Sequence, residues 1–224
     1  GGTRTAMSML QQAVRAVTSG HCEIAACVYG ENTLTGRTPG AQGLALRNLL
    51  GGEEWEEPFG LHGMVTPYAL LAQRYLSQYG ASEKDLAEVA LVTRRHALLN
   101  DNAQMRKPMS LDDYLASRMI ATPLRLFDCS QVSDGGGALI LMSRERAKAR
   151  GLKAVLLCSF VYETRIALRA GHASLGGRCP LNPHGGLLSQ AHIGGMLHVT
   201  EAVHQLRGSA GRRQVPGARR AVVS

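Results

Sequence analysis

Asn182-Pro183-His184-Gly185-Gly186 opens the stretch of this chain richest in groups suited to chemistry, and His192-Ile193-Gly194-Gly195 closes it. A neutral imidazole can donate a hydrogen bond to a carbonyl oxygen or move a proton near neutral pH. Glycine pairs bring backbone close to a bound group, because no Cβ stands in the way. The spacing from Ser189 to Leu206 predicts a helix, and Gly208 is placed to stop it. One loop thus delivers an imidazole, backbone amides and a helix start to a shared cleft. His192 is the candidate catalytic residue; its bland counterpart is a satisfied structural histidine at a helix start. Asn182, Gly185 and Gly186 are candidate substrate-binding positions, Asn182 chiefly by fixing the loop through hydrogen bonds to backbone. His184 is expected to be a variable loop residue, and His198, six positions past His192, to lie on another helix face.

Other chemistry is excluded by pattern. The cysteines are Cys22, Cys27, Cys129, Cys158 and Cys179, an odd number with no CxxC pair. Neither a zinc site nor a disulfide framework is indicated, and buried free thiols in a reducing cytosol are expected. Gly135-Gly136-Gly137 lacks the spacing of a phosphate loop and precedes a strand rather than a helix. The net charge is +8, with Arg207, Arg212, Arg213, Arg219 and Arg220 near the end. No aromatic residue is interleaved there to stack on bases, so nucleic acid is not the expected partner. The phosphates of an acyl-coenzyme A, an acidic partner or plain solvent would each satisfy that charge. No apolar run approaches the length of a membrane span, and no signal peptide is expected. The first residues already read as the start of a helix, so the chain is expected to lack a natural N-terminus.

The elements that must position these groups alternate. A helix is predicted over 3–19, with Met7, Leu10, Val14 and Val17 on one face and Gly20 at its end. A buried strand follows over 23–29, then a long glycine-rich, acidic loop from 30 to 63 with a short helix at 41–50. Helices are predicted over 67–79, from the capping pair Ser82 and Asp85 to about Leu99, and from the pair Ser110 and Asp113 through Ser117. Strands are expected over 124–130, 138–142, 154–162 and 218–223, and Ser143 caps a helix ending at Gly151. Strands alternating with helices imply an α/β fold.

The segment Asp128-Cys129-Ser130-Gln131-Val132-Ser133-Asp134-Gly135-Gly136-Gly137-Ala138, followed by Ser143 and Gly151, resembles the strand–helix–strand of the thiolase superfamily. Residues 182–213 resemble that family's histidine loop, and Glu201 to Gln214 its following helix. Phe59-Gly60, His62-Gly63 and Pro67-Tyr68-Ala69 resemble the region before the middle of a thiolase, and Val92 to Asn100 the helix after it. The branch most resembled is the sterol-carrier-like one, often labelled lipid-transfer proteins or acetyl-CoA acetyltransferases, some members being aldolases that act on steroid side-chain thioesters. The resemblance implies a layered α/β/α/β/α fold, incomplete here, with a partial N-terminal half over 1–142 (excursion 30–120) and a partial C-terminal half over 143–224. It implies carbon–carbon bond formation or cleavage beside an acyl-CoA thioester, with coenzyme A as part of the substrate and no separate cofactor or metal. His62 would then line the acyl or pantetheine channel, and Ser130 would reach the cleft. Asp134 is expected to shape its turn.

Departures from the family pattern bear on the reaction. The nucleophilic cysteine of thiolases would fall near Thr3, and no cysteine precedes Cys22. Retro-aldol cleavage, which the aldolase-like members perform without that cysteine, is therefore favoured over acyl transfer. An internal deletion is suspected between Glu163 and Leu175, removing a polar oxyanion-hole residue. The resemblance also implies a homodimer and a small OB-fold, zinc-ribbon partner protein. The rival expectation is a non-catalytic module that binds or transfers lipid or acyl-CoA, or serves as a subunit.

Overall fold

Alternation along one pair of strands organises the molecule. A computed structural model describes residues 3–36, 57–61, 65–157, 174–177 and 180–223. Strand β1 (Ile24–Asn32) pairs antiparallel with β4 (Asp134–Met142), in a register running from Ile24 opposite Met142 to Asn32 opposite Asp134. Side chains two apart share a face. One face therefore carries Ala25, Cys27, Tyr29 and Glu31, opposite Leu141, Leu139, Gly137 and Gly135.

The two ends of that face differ in chemistry. At the apolar end, helix α1 (Thr3–Thr18) lays Leu10 and Ala13 on Cys27, and Val199 of helix α7 (Met196–Arg207) closes the same cluster. Each large aliphatic side chain buried there contributes about 2 kcal/mol of transfer free energy. At the other end, Tyr29, Glu31, Gly135 and Gly137 lie under the 192–196 segment. A Cβ on Gly137 would sit 2.5 Å from Met196 Cγ, and one on Gly135 2.9 Å from Ile193 Cδ1. Gly135 and Gly137 are thus a floor for the histidine segment, and the triplet lies inside the strand rather than ahead of it.

A second core forms where helix α3 (Glu83–Ala97) meets helix α4 (Leu111–Ala116), built on Ala87, Ala90, Leu91 and Tyr114. Both helices start as expected: Asp85 accepts the Ser82 amide at 2.7 Å, and Asp113 the Ser110 amide at 2.8 Å. Helix α2 (Val65–Tyr79) precedes them, with Pro67 in its first turn. The small strands β2 (Met119–Ala121) and β3 (Leu124–Arg125) form a second two-stranded sheet. Helix α5 (Arg144–Ala149) is capped by Ser143, whose Oγ accepts the Arg146 amide at 3.2 Å.

Several expected elements differ. The first strand is half-buried rather than buried: on its outer face Val28 is 66% exposed, as is Ile140 at 68% across the sheet. It also runs on to Asn32, so the following loop begins later than the glycine suggested. The strand expected over 124–130 ends at Arg125, because Asp128 accepts the Arg125 amide at 2.7 Å and winds the chain into a 3₁₀ turn over Leu126–Asp128. Residues 154–157 and 218–223 form no strand. Their composition favours extended chain, but a strand persists only with a ladder partner; Val223 instead packs against the first core from an irregular segment. The long helix expected from Ser189 is two pieces, α6 (Gly186–Ser189) and α7, because Gly194 and Gly195 take φ of +46° and +79°. The short helix expected at 41–50 and the strand residues 158–162 lie outside the described residues.

Candidate active site

The loop from Asn182 to Gly195 is held from several elements at once. Asn182 takes φ +48°, and its carbonyl accepts from His96 Nδ1 at 3.2 Å. The Asn100 side chain donates to the His184 carbonyl at 2.9 Å, and the amides of Met105 and Gln104 to the carbonyls of Ser189 and Gln190 at 2.9 and 3.1 Å. Gln131 donates to Leu187 and Leu188. The buried Arg94 guanidinium donates to Ser189 Oγ at 3.2 Å and stacks over the Phe127 ring. Most of this segment's inward polar groups are satisfied by such partners, as buried backbone requires.

The sequence-predicted positions separate into two groups. Gly185 and Gly186 are buried, and a Cβ on Gly185 would stand 2.7 Å from Ala97 Cβ. Gly185 seats the loop on the end of α3, Gly186 lies against the Asn182 side chain, and Asn182 also acts there through its carbonyl and its left-handed backbone. Ser130 is exposed, whereas Ser133, three residues on, is fully buried and its Oγ accepts the His192 amide at 3.2 Å. His62 lies outside the described residues. Asp134 forms no turn with its own glycines, because it begins strand β4; its carboxylate instead accepts the Leu34 amide at 2.7 Å and the Thr35 amide at 3.1 Å in the turn after β1, and these bonds, those from Thr35 foremost, hold its carboxyl below the usual range.

His192 itself is half-buried at the polar end of the sheet face. Its Nδ1 stands 3.7 Å from Glu31 Oε2, and Tyr29 donates to the same carboxylate oxygen at 3.3 Å. Burial and the Glu31 charge push the Tyr29 phenol above its ordinary value. The Tyr29 ring fills the space a Cβ on Gly194 would occupy, its Cζ only 2.4 Å from that point. Behind His192, His198 meets His184 edge-on with ring centroids 4.9 Å apart. Burial, and then the neighbouring His192, lower the His198 pKa. His184 is buried with neither ring nitrogen hydrogen-bonded. Burial, with the charges of His198, Arg213 and His96 adding to it, pushes its pKa down to about 3, so it stays neutral and does not shuttle protons at neutral pH.

Tyr29, Glu31 and Ser133 escaped the sequence reading. The alternation Ala25, Cys27, Tyr29, Glu31 was the available signal, since it places two polar groups on the inward face of a strand. The basic tail is also less free than its composition suggests. Arg213 Nε bonds both oxygens of buried Glu201 at 2.9 and 3.1 Å, and Arg212 pairs with Asp101 at 3.1 Å. No group of three or more metal-ligating side chains occurs among the described residues.

A sequence profile of the thiolase C-terminal domain-like family matches residues 162–224, the part that carries the histidine loop. A solved structure of an Ltp2-ChsH2(DUF35) aldolase superposes with a TM-score of 0.77 at 29% identity, over 96% of this chain and 72% of that one. The chain is similar to members of the thiolase superfamily. Within that superfamily it is similar to a steroid side-chain-cleaving aldolase of Thermomonospora curvata, 29% identical over 93% of this chain and 72% of the relative. It is also similar to a 17-hydroxy-3-oxo-4-pregnene-20-carboxyl-CoA lyase of Mycobacterium tuberculosis, 28% identical over 93% of this chain and 73% of the relative. The first of these alignments spans 283 residues, more than the 224 of the whole chain, so that relative contains stretches with no counterpart here. The thiolase-like fold, expected from the sequence, is thereby established.

Proposed function

We propose that the chain acts on acyl-CoA thioesters by retro-aldol cleavage of the carbon–carbon bond next to the thioester. The carrying observation is His192, fixed by Ser133 over the Tyr29–Glu31 end of the sheet, in a chain similar to two carbon–carbon-cleaving thioester enzymes. In the forward step the β-hydroxyl proton of a β-hydroxyacyl thioester moves to the imidazole. The hydroxyl oxygen becomes a carbonyl, the Cα–Cβ bond breaks, and its electron pair forms the thioester enolate. The imidazolium then returns the proton to Cα, giving a shortened thioester and a free aldehyde or ketone. No resident cofactor is needed, because the thioester carbonyl is itself the electron sink, provided hydrogen-bond donors hold the enolate oxygen. Loop backbone placed by Asn182, Gly185 and Gly186 supports that arrangement.

The proposal extends to assembly: a homodimer, and a small OB-fold, zinc-ribbon partner. The paired name of the similar aldolase structure supports a partner protein. A non-catalytic acyl-CoA-binding module is the second reading, favoured by the stretches of the relatives that have no counterpart in this chain. Assay of β-hydroxyacyl-CoA and β-ketoacyl-CoA thioesters, with His192→Ala as control, separates the two. Loss of a well-placed acid–base group costs about 10²–10⁴ in rate. Turnover unchanged in His192→Ala overturns the catalytic reading, and saturable thioester binding without turnover establishes the module.

A further inference from the structure

We infer that Glu31 is a positioning residue that fixes the His192 tautomer, so that Nε2 is the proton acceptor of the proposed reaction. This rests on the catalytic reading of His192 and decides which of two roles the imidazole plays. An imidazole with its proton on Nε2 would donate a hydrogen bond to the substrate oxygen. One with its proton on Nδ1 presents a bare lone pair at Nε2 and acts as a base.

Three observations favour the second. Glu31 Oε2 lies 3.7 Å from Nδ1, and the two side chains are only 18% and 35% exposed, so solvent screens the contact weakly. That distance is beyond a hydrogen bond, but catalytic contacts in unliganded sites are commonly long and tighten around substrate. Second, the carboxylate is itself held. It sits on β1, whose position is set by the ladder to β4, and Tyr29 donates to the same Oε2. Third, the imidazole has little freedom to turn away. Its amide is tied to Ser133, Ile193 beside it is buried against Gly135, and Gly194 is locked under the Tyr29 ring.

The titratable groups facing His192 are Glu31 and Tyr29 from β1 and His198 from α7. Asp134, next to Ser133, is turned away and bound to the Leu34 and Thr35 amides. Burial disfavours a charge on His198, so the Glu31 carboxylate is the charge among these that meets the ring. A carboxylate at Nδ1 orders that proton and also stabilises the imidazolium formed when Nε2 accepts one. The same arrangement recurs wherever a carboxylate orients a working histidine.

The test is a nitrogen NMR measurement on the full chain carrying labelled histidine, at alkaline pH. His192 is assigned as the signal lost in His192→Asn. The wild type is expected to show the proton on Nδ1. Glu31→Gln, which keeps the shape and removes the charge, is expected to lose that preference, and Glu31→Asp to recover part of it. Loss of an orienting partner is worth about 10–100-fold, expected in kcat with KM little changed. A wild-type proton on Nε2, or an unchanged tautomer in Glu31→Gln, overturns the inference even if His192→Ala is inactive. A shifted tautomer with full turnover in His192→Ala instead overturns the function and leaves the Glu31–His192 coupling standing.

Discussion

His184 shows how one side chain couples this site to stability. Its ring is 3% exposed and bonded through neither nitrogen, and its pKa falls from the ordinary 6.5 to about 3. The unfolded chain accepts a proton below about pH 6.5, whereas the folded chain does not until about pH 3. Between those values the unfolded state binds more protons, so stability is full above the window and falls as pH drops through it. The slope for one such group is at most about 1.4 kcal/mol per pH unit. His184→Phe keeps an aromatic edge against His198 and removes the titration. Urea denaturation at several pH values should show a shallower loss of stability in that variant, and an equal slope would show that His184 is not the group responsible. At this scale the sequence pointed to His192 as a candidate because glycines and a histidine sit together in one short stretch. It did not reveal Glu31 or Tyr29, which reach the ring only through strand pairing, nor that Ser133 rather than Ser130 is the buried serine.

Among the elements, the seat of the loop on α3 is the contact most open to measurement. Gly185 has φ +106°, and an added Cβ would meet Ala97 Cβ at 2.7 Å and its Cα at 3.0 Å. Gly208, which ends α7, has φ +70° and nothing within 4 Å. Gly208→Ala should therefore show the backbone cost alone, about 1–2 kcal/mol. Gly185→Ala adds overpacking against a buried helix end and should cost about 2–4 kcal/mol. Equal urea midpoints for the two variants would mean that the loop is not packed on α3 as described. Helices were legible where local chemistry marks them, as at the Ser82–Asp85 and Ser110–Asp113 caps. Strands over 154–157 and 218–223 were misread because β structure depends on a partner that local sequence does not name. The break between α6 and α7 was written in Gly194-Gly195, but helical periodicity on either side outweighed it.

At the scale of the whole molecule, the described residues cover one face of the β1–β4 sheet and leave the other exposed. The outer face of β1 and β4 carries Ile24, Ala26 and Val28 opposite Met142, Ile140 and Ala138, with no charged side chain among them. Val28 and Ile140 are each about two-thirds exposed, at 66% and 68%. Isolated exposed apolar residues are ordinary, but a continuous patch across paired strands is the kind of surface that marks an interface. Under the proposed homodimer this face is one on which a second copy could dock. Val28→Lys combined with Ile140→Glu should then shift sedimentation toward the monomer. Because both side chains are exposed, folding stability should change by no more than about 0.5 kcal/mol per site. The two outcomes are separable: a dimer that persists in the double variant places its interface elsewhere, and a chain that unfolds shows that the face belongs to its own core. If dissociation is accompanied by loss of turnover while His192 keeps its tautomer, the dimer acts on the site by supporting β1, the strand that carries both Val28 on its outer side and Glu31 on its inner one.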